Sequence, residues 1–492
     1  MELAPRVGEY LRQFDGAEAV DVHENGTRVA TINTFTFELR GTLAKPILRF
    51  SLDEYSATHS VLAIRSCSEE RLSLAIQRFG SNQPGRLEFV RKDYKRASDD
   101  LARRDSSTRF TRILAEQFPD EEPEGALANG DDLEHSLSGT YARGVIRKGS
   151  ERWAILAVPS SGNAAASSNS LTSGLLWLAR ARERSSKEGI AGLRLIVPRG
   201  TSEIPIRLSK VLSSSIQVEI YEFDLRSESI VRIDPTAFAN RDNWLVACRS
   251  RDSLLDRAAA ELNPIVAMSP QAITLHPNVE TGDVMLRFRG LAFACWQDGA
   301  VFFGDNFRKK ATASTQHELK QSLHDLEIHR HPLATDTRHR LYRAQPERWL
   351  ESIVRSDVTR IEPRLDPRFV YTQLFANSAT DRSILDILTV TTTGRLAIIE
   401  LKATEHIHLP LQAADYWLRI KEHLERGDFS HSGYFPGVEL QKTPPLVYLV
   451  APALRFHSTS GALQRCLSSS MEVMRVGLAE SWRRGLRVVM RQ

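Results

Sequence analysis

The sequence is poor in cysteine and has no long apolar run. Its four cysteines, Cys67, Cys248, Cys295 and Cys466, lie far apart and show no Cys-x-x-Cys or Cys/His spacing. This pattern fits neither a disulfide scaffold nor a zinc site, and it is typical of a reducing cytoplasm. No stretch approaches the ~18 apolar residues of a spanning helix, and the first residues lack the apolar segment of a secretory signal. We therefore expect a cytoplasmic protein without a membrane partner.

A large excess of one charge is also missing. Lys and Arg number 65 against 61 Asp and Glu, so the net charge is +4. This balance neither requires nor excludes nucleic acid as a partner. Hydrophobic residues make up 41% and charged residues 26%, which excludes collagen-like, mucin-like and wholly disordered classes. A chain of 492 residues is too long for one compact core and is expected to form about three or four domains.

The alternation of strand and helix patterns predicts four domains. Residues 1–100 form an α+β accessory domain, and residues 101–228 form a first α/β domain. A β-rich accessory domain with a helix follows at 229–338, and a second α/β domain at 339–492. The accessory domains are candidate surfaces for docking substrate or for forming a homodimer. The predicted fold class is therefore α/β within an α+β multidomain chain.

Local patterns in the first half give more detailed expectations. In the first domain, 28–41, 45–54 and 59–67 have the composition of strands, while EERLSLAIQRFG at 69–80 predicts a short helix. The small polar residues of 159–170 predict an exposed loop.

The last domain has the clearest order of elements. PERWLESIVRS predicts a helix that begins at Pro346, and ILDILTVTTTGRLAIIELKA predicts a hairpin around a Thr-Thr-Gly turn. LPLQAADYWLRIKEHLER predicts an amphipathic helix that ends before Gly427. The strand PPLVYLVAPA, a helix and a final strand, MEVMRVGL, follow. This order predicts a mixed sheet with helices on both faces.

The two α/β regions show an internal repeat. RWAILAVP at 152–159 corresponds to RLAIIELK at 395–402, and LSSSIQVEI at 212–220 corresponds to LSSSMEVMR at 467–475. Both regions follow a β-rich segment, so the pattern favours a tandem duplication of a two-part unit. The alternative is that the matches reflect only the general likeness of α/β units.

Three charged residues in the last domain indicate a chemical site. Asp386 lies within ILDIL, and Glu400 and Lys402 lie within LAIIELKA. A buried charge in a strand costs several kcal/mol unless it is paired or binds a cation. Residues two apart on a strand point to the same face, and the hairpin brings Asp386 near them. Two converging carboxylates suit Mg²⁺, and the adjacent ammonium suits a phosphate oxygen or a water. The alternative is a structural Glu–Lys pair with Asp386 at a bend.

This Asp-x13-Glu-x-Lys arrangement resembles the PD-(D/E)xK nuclease superfamily, and more closely its RecB-like branch, over about residues 340–480. Glu351 stands where that family has a helix acid, with Glu347 one turn earlier as a substitute. Gln412 and Tyr416 match its Gln-x-x-x-Tyr helix motif. The sequence departs from the family at Leu385, where a proline would complete the dipeptide of the name.

The resemblance implies a mixed sheet of the restriction-endonuclease-like type and a Mg²⁺- or Mn²⁺-dependent nuclease that acts on DNA, with RNA left open. It implies that Asp386, Glu400, the carbonyl of Leu401 and Glu351 hold the metal. It also implies that Lys402 directs water and phosphate. Gln412 and Tyr416 would then orient the site. Endo- or exonuclease action and a role in repair, defence or mobile elements stay open.

The first copy lacks these groups. Under the repeat, Ala157 and Pro159 stand in the places of Glu400 and Lys402, and RGVI at 143–146 offers no acid opposite them. Arg112 falls near the position of Glu351. We therefore expect a degenerate, inactive nuclease-like copy at 101–228. The alternative function is a non-catalytic nucleic-acid-binding or scaffold protein with two vestigial nuclease folds.

Overall fold

The structure is a computed structural model of the chain and describes most of its residues. Contacts within the chain form two compact units, Met1–Thr108 and Arg109–Gln492. Twelve α-helices and four β-sheets lie in the described ranges, so the architecture is mixed α/β. Among these residues, none of the helices is long and apolar enough to cross a lipid bilayer. The described residues are 3–12, 20–24, 27–32, 37–42, 46–51, 56–67, 71–78, 84–91, 107–125, 127–132, 134–158, 164–185, 189–224, 227–235, 245–279, 281–304, 307–378 and 381–492.

The first unit contains helix α1 (Leu3–Arg12) and a seven-stranded antiparallel sheet. Its strands are β1 Val20–Glu24, β2 Thr27–Ile32, β3 Phe37–Gly41, β4 Pro46–Ser51, β5 Ser56–Cys67, β6 Arg71–Arg78 and β7 Pro84–Arg91. Their order is β2-β1-β7-β6-β5-β4-β3. Val7 and Leu11 of α1 are fully buried in the core that the sheet forms.

The helix predicted at 69–80 is wrong for the described part of that segment. Arg71–Arg78 is strand β6, which pairs antiparallel with both β5 and β7. Leu72, Leu74 and Ile76 alternate along it and are buried in the core. An apolar period of two residues is the spacing of a half-buried strand, and here it prevails over helix propensity.

The second unit begins with a six-stranded mixed sheet, which we call the N-terminal sheet. Its helices are α2 (107–117), α3 Ala164–Ser168, α4 Ser170–Arg184 and α5 Glu203–Ser209. Its strands are β8 Glu122–Pro123, β9 Ala142–Lys148, β10 Glu151–Ala157, β11 Gly192–Pro198, β12 Gln217–Asp224 and β13 Ser229–Arg232, in the order β13-β12-β11-β10-β9-β8. Strands β10, β11 and β12 are parallel, and the remaining pairings are antiparallel.

The exposed loop predicted at 159–170 is wrong over its second half. Residues 164–168 form α3, and Ser170 begins α4, whereas 159–163 lie outside the described residues. Ala166 and Ser170 are buried, and the Ser170 hydroxyl donates to the carbonyl of Ser167 at 2.6 Å. Small side chains let this helical segment pack closely, a role that their polarity alone does not reveal.

The accessory domain of the second unit has a five-stranded antiparallel sheet covered on one face by α6 (Cys248–Val266) and α7 (Gln316–His329). Its strands are β14 Ile273–Asn278, β15 Asp283–Phe288, β16 Leu291–Gln297, β17 Ala300–Phe303 and β18 Lys309–Lys310, in sequential order. Along β15, Val284, Leu286 and Phe288 face the core. Arg287 therefore lies on the opposite face of this sheet.

The last sheet, which we call the C-terminal sheet, also has six strands. Its helices are α8 Arg340–Arg343, α9 Pro346–Ser356, α10 Leu409–Arg426, α11 Asp428–His431 and α12 Ser460–Arg465. Its strands are β19 Leu365–Ser378, β20 Asp381–Thr391, β21 Leu396–Leu401, β22 Leu446–Pro452, β23 Val473–Leu478 and β24 Val488–Arg491, in the order β19-β20-β21-β22-β23-β24. The predicted helix, hairpin and later elements are present, while the outer strands β19 and β24 were not predicted.

The N-terminal and C-terminal sheets have the same strand order. In both, the three strands β10-β11-β12 or β21-β22-β23 are parallel and the flanking pairs are antiparallel. Helices also occupy matching connections, with α4 and α10 after the second strand of each hairpin and α5 and α12 one crossover later. The two sheets therefore share one topology.

The two sheets meet through equivalent residues. Leu212 and Leu467 form an antiparallel bridge. The amide of Ser213 donates to the carbonyl of Cys466, and the amide of Ser468 donates to the carbonyl of Val211, each at 2.8 Å. Helix α4 contacts α12 as α5 contacts α10, and both helix layers belong to one continuous core. This pairing of like with like is the pattern of a two-fold interface.

Candidate active site

The hairpin β20–β21 brings Asp386 and Glu400 together. Ile387 pairs with Ile399 in this hairpin. Asp386 and Glu400 are the next residues away from the turn, so they lie opposite each other. The Asp386 Oδ2 atom accepts a hydrogen bond from the amide of Leu401 at 2.9 Å. The turn requires Gly394, which has φ of 87°, because a Cβ there would lie 2.2 Å from the carbonyl oxygen of Glu439. The apolar strands on either side hold the acids in the sheet.

Glu400 is the most buried group of the site. Its side chain is 1% exposed, and its Oε1 atom accepts from Lys402 Nζ at 3.1 Å. Its Oε2 atom is buried and has no hydrogen-bond partner. Burial and then the charge of Asp386 raise the pKa of Glu400, and burial raises the pKa of Asp386. Although burial alone would lower it, Glu400 and Asp386 raise the pKa of Lys402. The protein alone leaves this acid pair incompletely compensated.

Helix α9 places two more acids beside the hairpin. Glu351 is buried and accepts from Arg348 Nη1 at 2.6 Å, and the same Nη1 lies 3.6 Å from Asp386 Oδ1. Arg348, which sequence reasoning missed, therefore links Glu351 to Asp386. Glu347, one turn earlier, accepts from Thr404 Oγ1 at 3.1 Å just after β21. The two acids are four residues apart on α9 and therefore share the helix face that meets the hairpin end.

Helix α10 contributes Gln412 and Tyr416. The Gln412 Nε2 atom donates to the Tyr416 hydroxyl at 3.3 Å. Tyr416 is buried; burial first, and then the charge of Glu400, raise the pKa of its hydroxyl. Tyr416 therefore lies within electrostatic reach of Glu400. The i, i+4 spacing read from the sequence gives this shared orientation.

A divalent cation fits Asp386 and Glu400. No group of three or more His, Cys, Asp or Glu side chains in the described parts of the chain is arranged to hold a metal. The candidate donors at this site are two carboxylates and one backbone carbonyl. The carbonyl belongs to Leu401, which lies between Glu400 and Lys402 in the sequence. Oxygen donors are what Mg²⁺ and Mn²⁺ prefer, and the buried Oε2 atom of Glu400 has a lone pair to offer. Glu351, which would be a further oxygen donor, has its Oε2 atom engaged by Arg348.

Two histidines lie near Lys402 in the loop that leads to α10. His406 and His408 have ring centroids 5.6 Å apart, and each has a buried Nδ1 atom without a hydrogen-bond partner. Burial and then Lys402 lower the pKa of His406, and burial lowers the pKa of His408 to about 4. Both imidazoles are therefore neutral near pH 7.

The equivalent position of the N-terminal sheet is apolar. Ala157 pairs with Ala142, and these residues occupy the register of Glu400 and Asp386. On α2, Arg112 is exposed and forms ion pairs with Glu116 and Glu228. Pro159 lies outside the described residues. Neither Ala157 nor Ala142 can bind a cation through its side chain.

A group of arginines near Glu351 was also missed from the sequence. Arg355 is on α9, Arg251 on α6 and Arg287 on β15. For Arg348 and Arg355, the spacing from Glu351 along PERWLESIVR could have placed all three on one helix face. For Arg287 no local signal exists, because the tertiary fold brings it from another sheet.

No protein-family model matches the chain, and no curated protein matches it.

Proposed function

We propose that the chain is a metal-dependent nuclease that hydrolyses phosphodiester bonds of DNA at the hairpin β20–β21. The observation that carries this proposal is the pair of opposed acids, half-buried Asp386 and fully buried Glu400, with an unsatisfied Oε2 atom on Glu400 and the ammonium of Lys402 beside them. A structural ion pair would leave no buried carboxylate oxygen without a partner. A cation supplies the missing compensation.

Asp386, Glu400 and the Leu401 carbonyl would hold the Mg²⁺ or Mn²⁺ ion, with Glu351 reaching it through water. Such an ion lowers the pKa of bound water and neutralises charge on a phosphoryl oxygen. Lys402 keeps its proton because the neighbouring acids raise its pKa, so it acts on phosphate and water as a cation. Gln412 holds the hydroxyl of Tyr416. Together these two residues border the Lys402 side of the site and orient the substrate backbone.

We also propose that both six-stranded sheets are of the restriction-endonuclease-like type and arose by duplication, with the N-terminal sheet inactive. Three observations support this: the shared strand order, the matching helices and the like-to-like contact of Leu212 with Leu467. An internal duplication whose two halves are related by a two-fold axis would bring Leu212 and Leu467 together in this way.

The test is cleavage by purified protein of circular single-stranded DNA, circular duplex DNA, linear DNA and RNA, with Mg²⁺, Mn²⁺ or EDTA. We expect metal-dependent cleavage of DNA that Asp386→Asn removes. Cutting of circles would identify an endonuclease, whereas cutting of linear DNA alone would identify an exonuclease. Nucleic-acid binding without cleavage under every metal condition would contradict the proposal and favour the non-catalytic alternative.

A further inference from the structure

A second charged site adjoins the acids on the side of the accessory domain. We call Arg251, Arg287, Arg348 and Arg355 the arginine cluster. Arg348 and Arg355 are seven residues apart on α9, so they share one helix face with Glu351 between them. Arg287 lies on the face of β15 opposite the core and interacts electrostatically with Arg348, Glu351 and Arg355 of α9, and Arg251 interacts with Arg355. Charged groups from α6, β15 and α9 therefore neighbour Arg348, which contacts Glu351 and Asp386.

Packing of the backbone brings these elements together. The turn after β15 contains Gly290, where a Cβ would lie 2.0 Å from the carbonyl oxygen of Arg348, so the turn lies directly against α9. Arg251 Nη2 donates to the carbonyl of Thr372 on β19 at 3.3 Å, which holds α6 against the C-terminal sheet. The accessory domain therefore contributes to the surroundings of the candidate active site.

The cluster has donors without partners. Arg287 Nε and Nη1 and Arg355 Nη1 are buried and make no hydrogen bond. The acid that offsets these charges is Glu351, whose Oε2 atom already accepts from Arg348. Burying a guanidinium without its hydrogen bonds is costly, so such donors call for an anion that the protein itself does not provide.

Another buried arginine of the same domain shows the contrast. Arg330 is 0% exposed, yet it donates to the carbonyls of Arg289, Leu341 and Ala344 at 2.7–3.1 Å. Its role is to fasten the accessory domain to the segment before α9. Donors of Arg287 and Arg355 lack such acceptors, although they are also buried.

A neutral histidine completes the site. His276 on β14 bonds to Thr274 Oγ1 through Nε2 at 2.9 Å. Burial, and then Arg287, Arg355, Arg251 and Arg348, lower the pKa of His276 to about 2. His276 is therefore neutral near pH 7 and adds no positive charge to that of the arginines.

We propose that the arginine cluster is a phosphate-binding subsite that holds a second phosphate of the nucleic-acid strand, next to the one cleaved at Asp386 and Glu400. This inference rests on the proposed function for the identity of the strand. Guanidinium forks match the oxygens of a phosphate and bind it through charge-assisted hydrogen bonds. The ligand chemistry is shared by an internal phosphodiester and a terminal phosphate, and the experiment separates these sources.

The first test uses inorganic phosphate as the probe and metal-free full-length protein. Phosphate should raise the Tm of the wild type above that in chloride at equal ionic strength, and Arg287→Gln/Arg355→Gln should lose this rise. In phosphate-free buffer the double variant should melt at or above the wild-type temperature, because uncompensated charge is removed. Arg147→Gln, which removes an exposed charge from β9, is the matched control and should respond like the wild type.

An equal response to phosphate in the wild type and the double variant, or none in the wild type, would overturn the subsite. If the double variant does not fold, Arg287→Lys/Arg355→Lys carries the test. It keeps the charge but loses the fork, so its phosphate response should be smaller than that of the wild type. Because the melting measurement does not depend on cleavage, it shows whether the arginine cluster binds phosphate even if the protein cuts no substrate.

The second test measures cleavage of DNA. The double Gln variant should raise KM by roughly 10- to 100-fold while kcat changes by less than about threefold, since binding groups rather than reacting groups are lost. A defect confined to 5′-phosphorylated linear DNA, absent for 5′-hydroxyl DNA, identifies a terminal phosphate as the ligand. An equal defect on circles identifies an internal phosphodiester. An unchanged KM on every substrate contradicts the subsite but leaves the proposed nuclease standing.

Discussion

The N-terminal and C-terminal sheets have one topology but differ in whether their buried charged groups have partners. In the N-terminal sheet, Arg194 on β11 is buried and forms ion pairs with Glu121 and Glu219. Its guanidinium also lies 5.1 Å from the ring of Trp153. In the C-terminal sheet, Glu400 keeps a buried oxygen without a partner. A network whose buried polar atoms all have partners stabilises a fold, whereas a buried polar atom without a partner is available to bind a ligand.

This difference shows that one sheet topology can be stable with or without a pair of acids at this position. Strands β10 and β11 bury their side chains almost completely, and they share a continuous core with the C-terminal sheet. Each apolar Å² buried contributes about 25 cal/mol whatever reaction takes place nearby. A carboxylate pair, by contrast, destabilises the fold unless it binds its cation. Packing alone thus accounts for the stability of the N-terminal sheet, where Ala157 and Ala142 bury no charge.

The largest expected effect is at the acids of the C-terminal sheet. Asp386→Asn and Glu400→Gln should each lower DNA cleavage by roughly 100-fold or more, because each removes a charged oxygen donor from the cation. The measurement is the initial rate in saturating Mg²⁺, with circular dichroism to check folding. Wild-type rates in both variants would mean that Asp386 and Glu400 are not the site of cleavage.

Lys402 should separate turnover from metal binding. Lys402→Ala is expected to lower turnover by about 10²–10³-fold, as removal of a preorganised electrostatic donor does. Its metal affinity should be kept, since loss of a nearby positive charge does not repel a cation. Parallel rate and calorimetric measurements check this. A fall in affinity as deep as that of Asp386→Asn would show that Lys402 supports the acids rather than the reaction.

A smaller effect is expected on stability without metal. Burial and Asp386 raise the pKa of Glu400 to about 8, so from about pH 5 to 8 the folded state binds more protons than the unfolded state. Wild-type stability therefore falls as pH rises through this window. Glu400→Gln avoids that loss, and its Tm in EDTA should exceed that of the wild type by more at pH 8 than at pH 5. In a unit as large as Arg109–Gln492, each kcal/mol relieved corresponds to about 1–2 °C.

The control is the same pair of melting curves with saturating Mg²⁺. There the advantage of Glu400→Gln should shrink or reverse, because the metal stabilises the wild type. An advantage that is independent of pH and metal would show that Glu400 is not held in an uncompensated charged state.

The smallest effect belongs to the N-terminal sheet. Ile155→Val and Ala157→Gly are expected to cost about 1 kcal/mol of stability each and to leave the cleavage rate within about twofold of the wild type. The rate assay and thermal melting check this side by side. A folded variant that has lost cleavage would show that the N-terminal sheet takes part in the reaction.

Sequence patterns predicted the parts of the site that depend on neighbouring residues. The hairpin around Gly394, the helix beginning at Pro346 and the i, i+4 pair Gln412 and Tyr416 follow from local periodicity and turn chemistry. The helix predicted at 69–80 was wrong because the alternation of Leu72, Leu74 and Ile76 outweighs its helix-forming residues. Local composition decides an element only where the tertiary partners agree with it.

Other parts of the site depend on the tertiary fold. Arg348 joins Glu351 to Asp386 across two elements, and Arg287 comes from the accessory sheet. The i, i+3 spacing of Arg348 and Glu351 indicates their contact, but neither the approach of Arg348 to Asp386 nor that of Arg287 to α9 has a signature in sequence spacing. The like-to-like contact at Leu212 and Leu467 was equally absent from the repeat, which predicted matching residues but not that they touch.

The central claim is that, of two sheets with one topology, the C-terminal sheet alone carries a metal-dependent site. Calorimetric titration of Mn²⁺ into the metal-free full-length protein tests it most directly, with wild type, Asp386→Asn, Glu400→Gln and Ala157→Gly compared. We predict saturable binding in the wild type and in Ala157→Gly that both acid variants lose. Binding that persists in Asp386→Asn and Glu400→Gln, or that is absent from the wild type, would contradict the account.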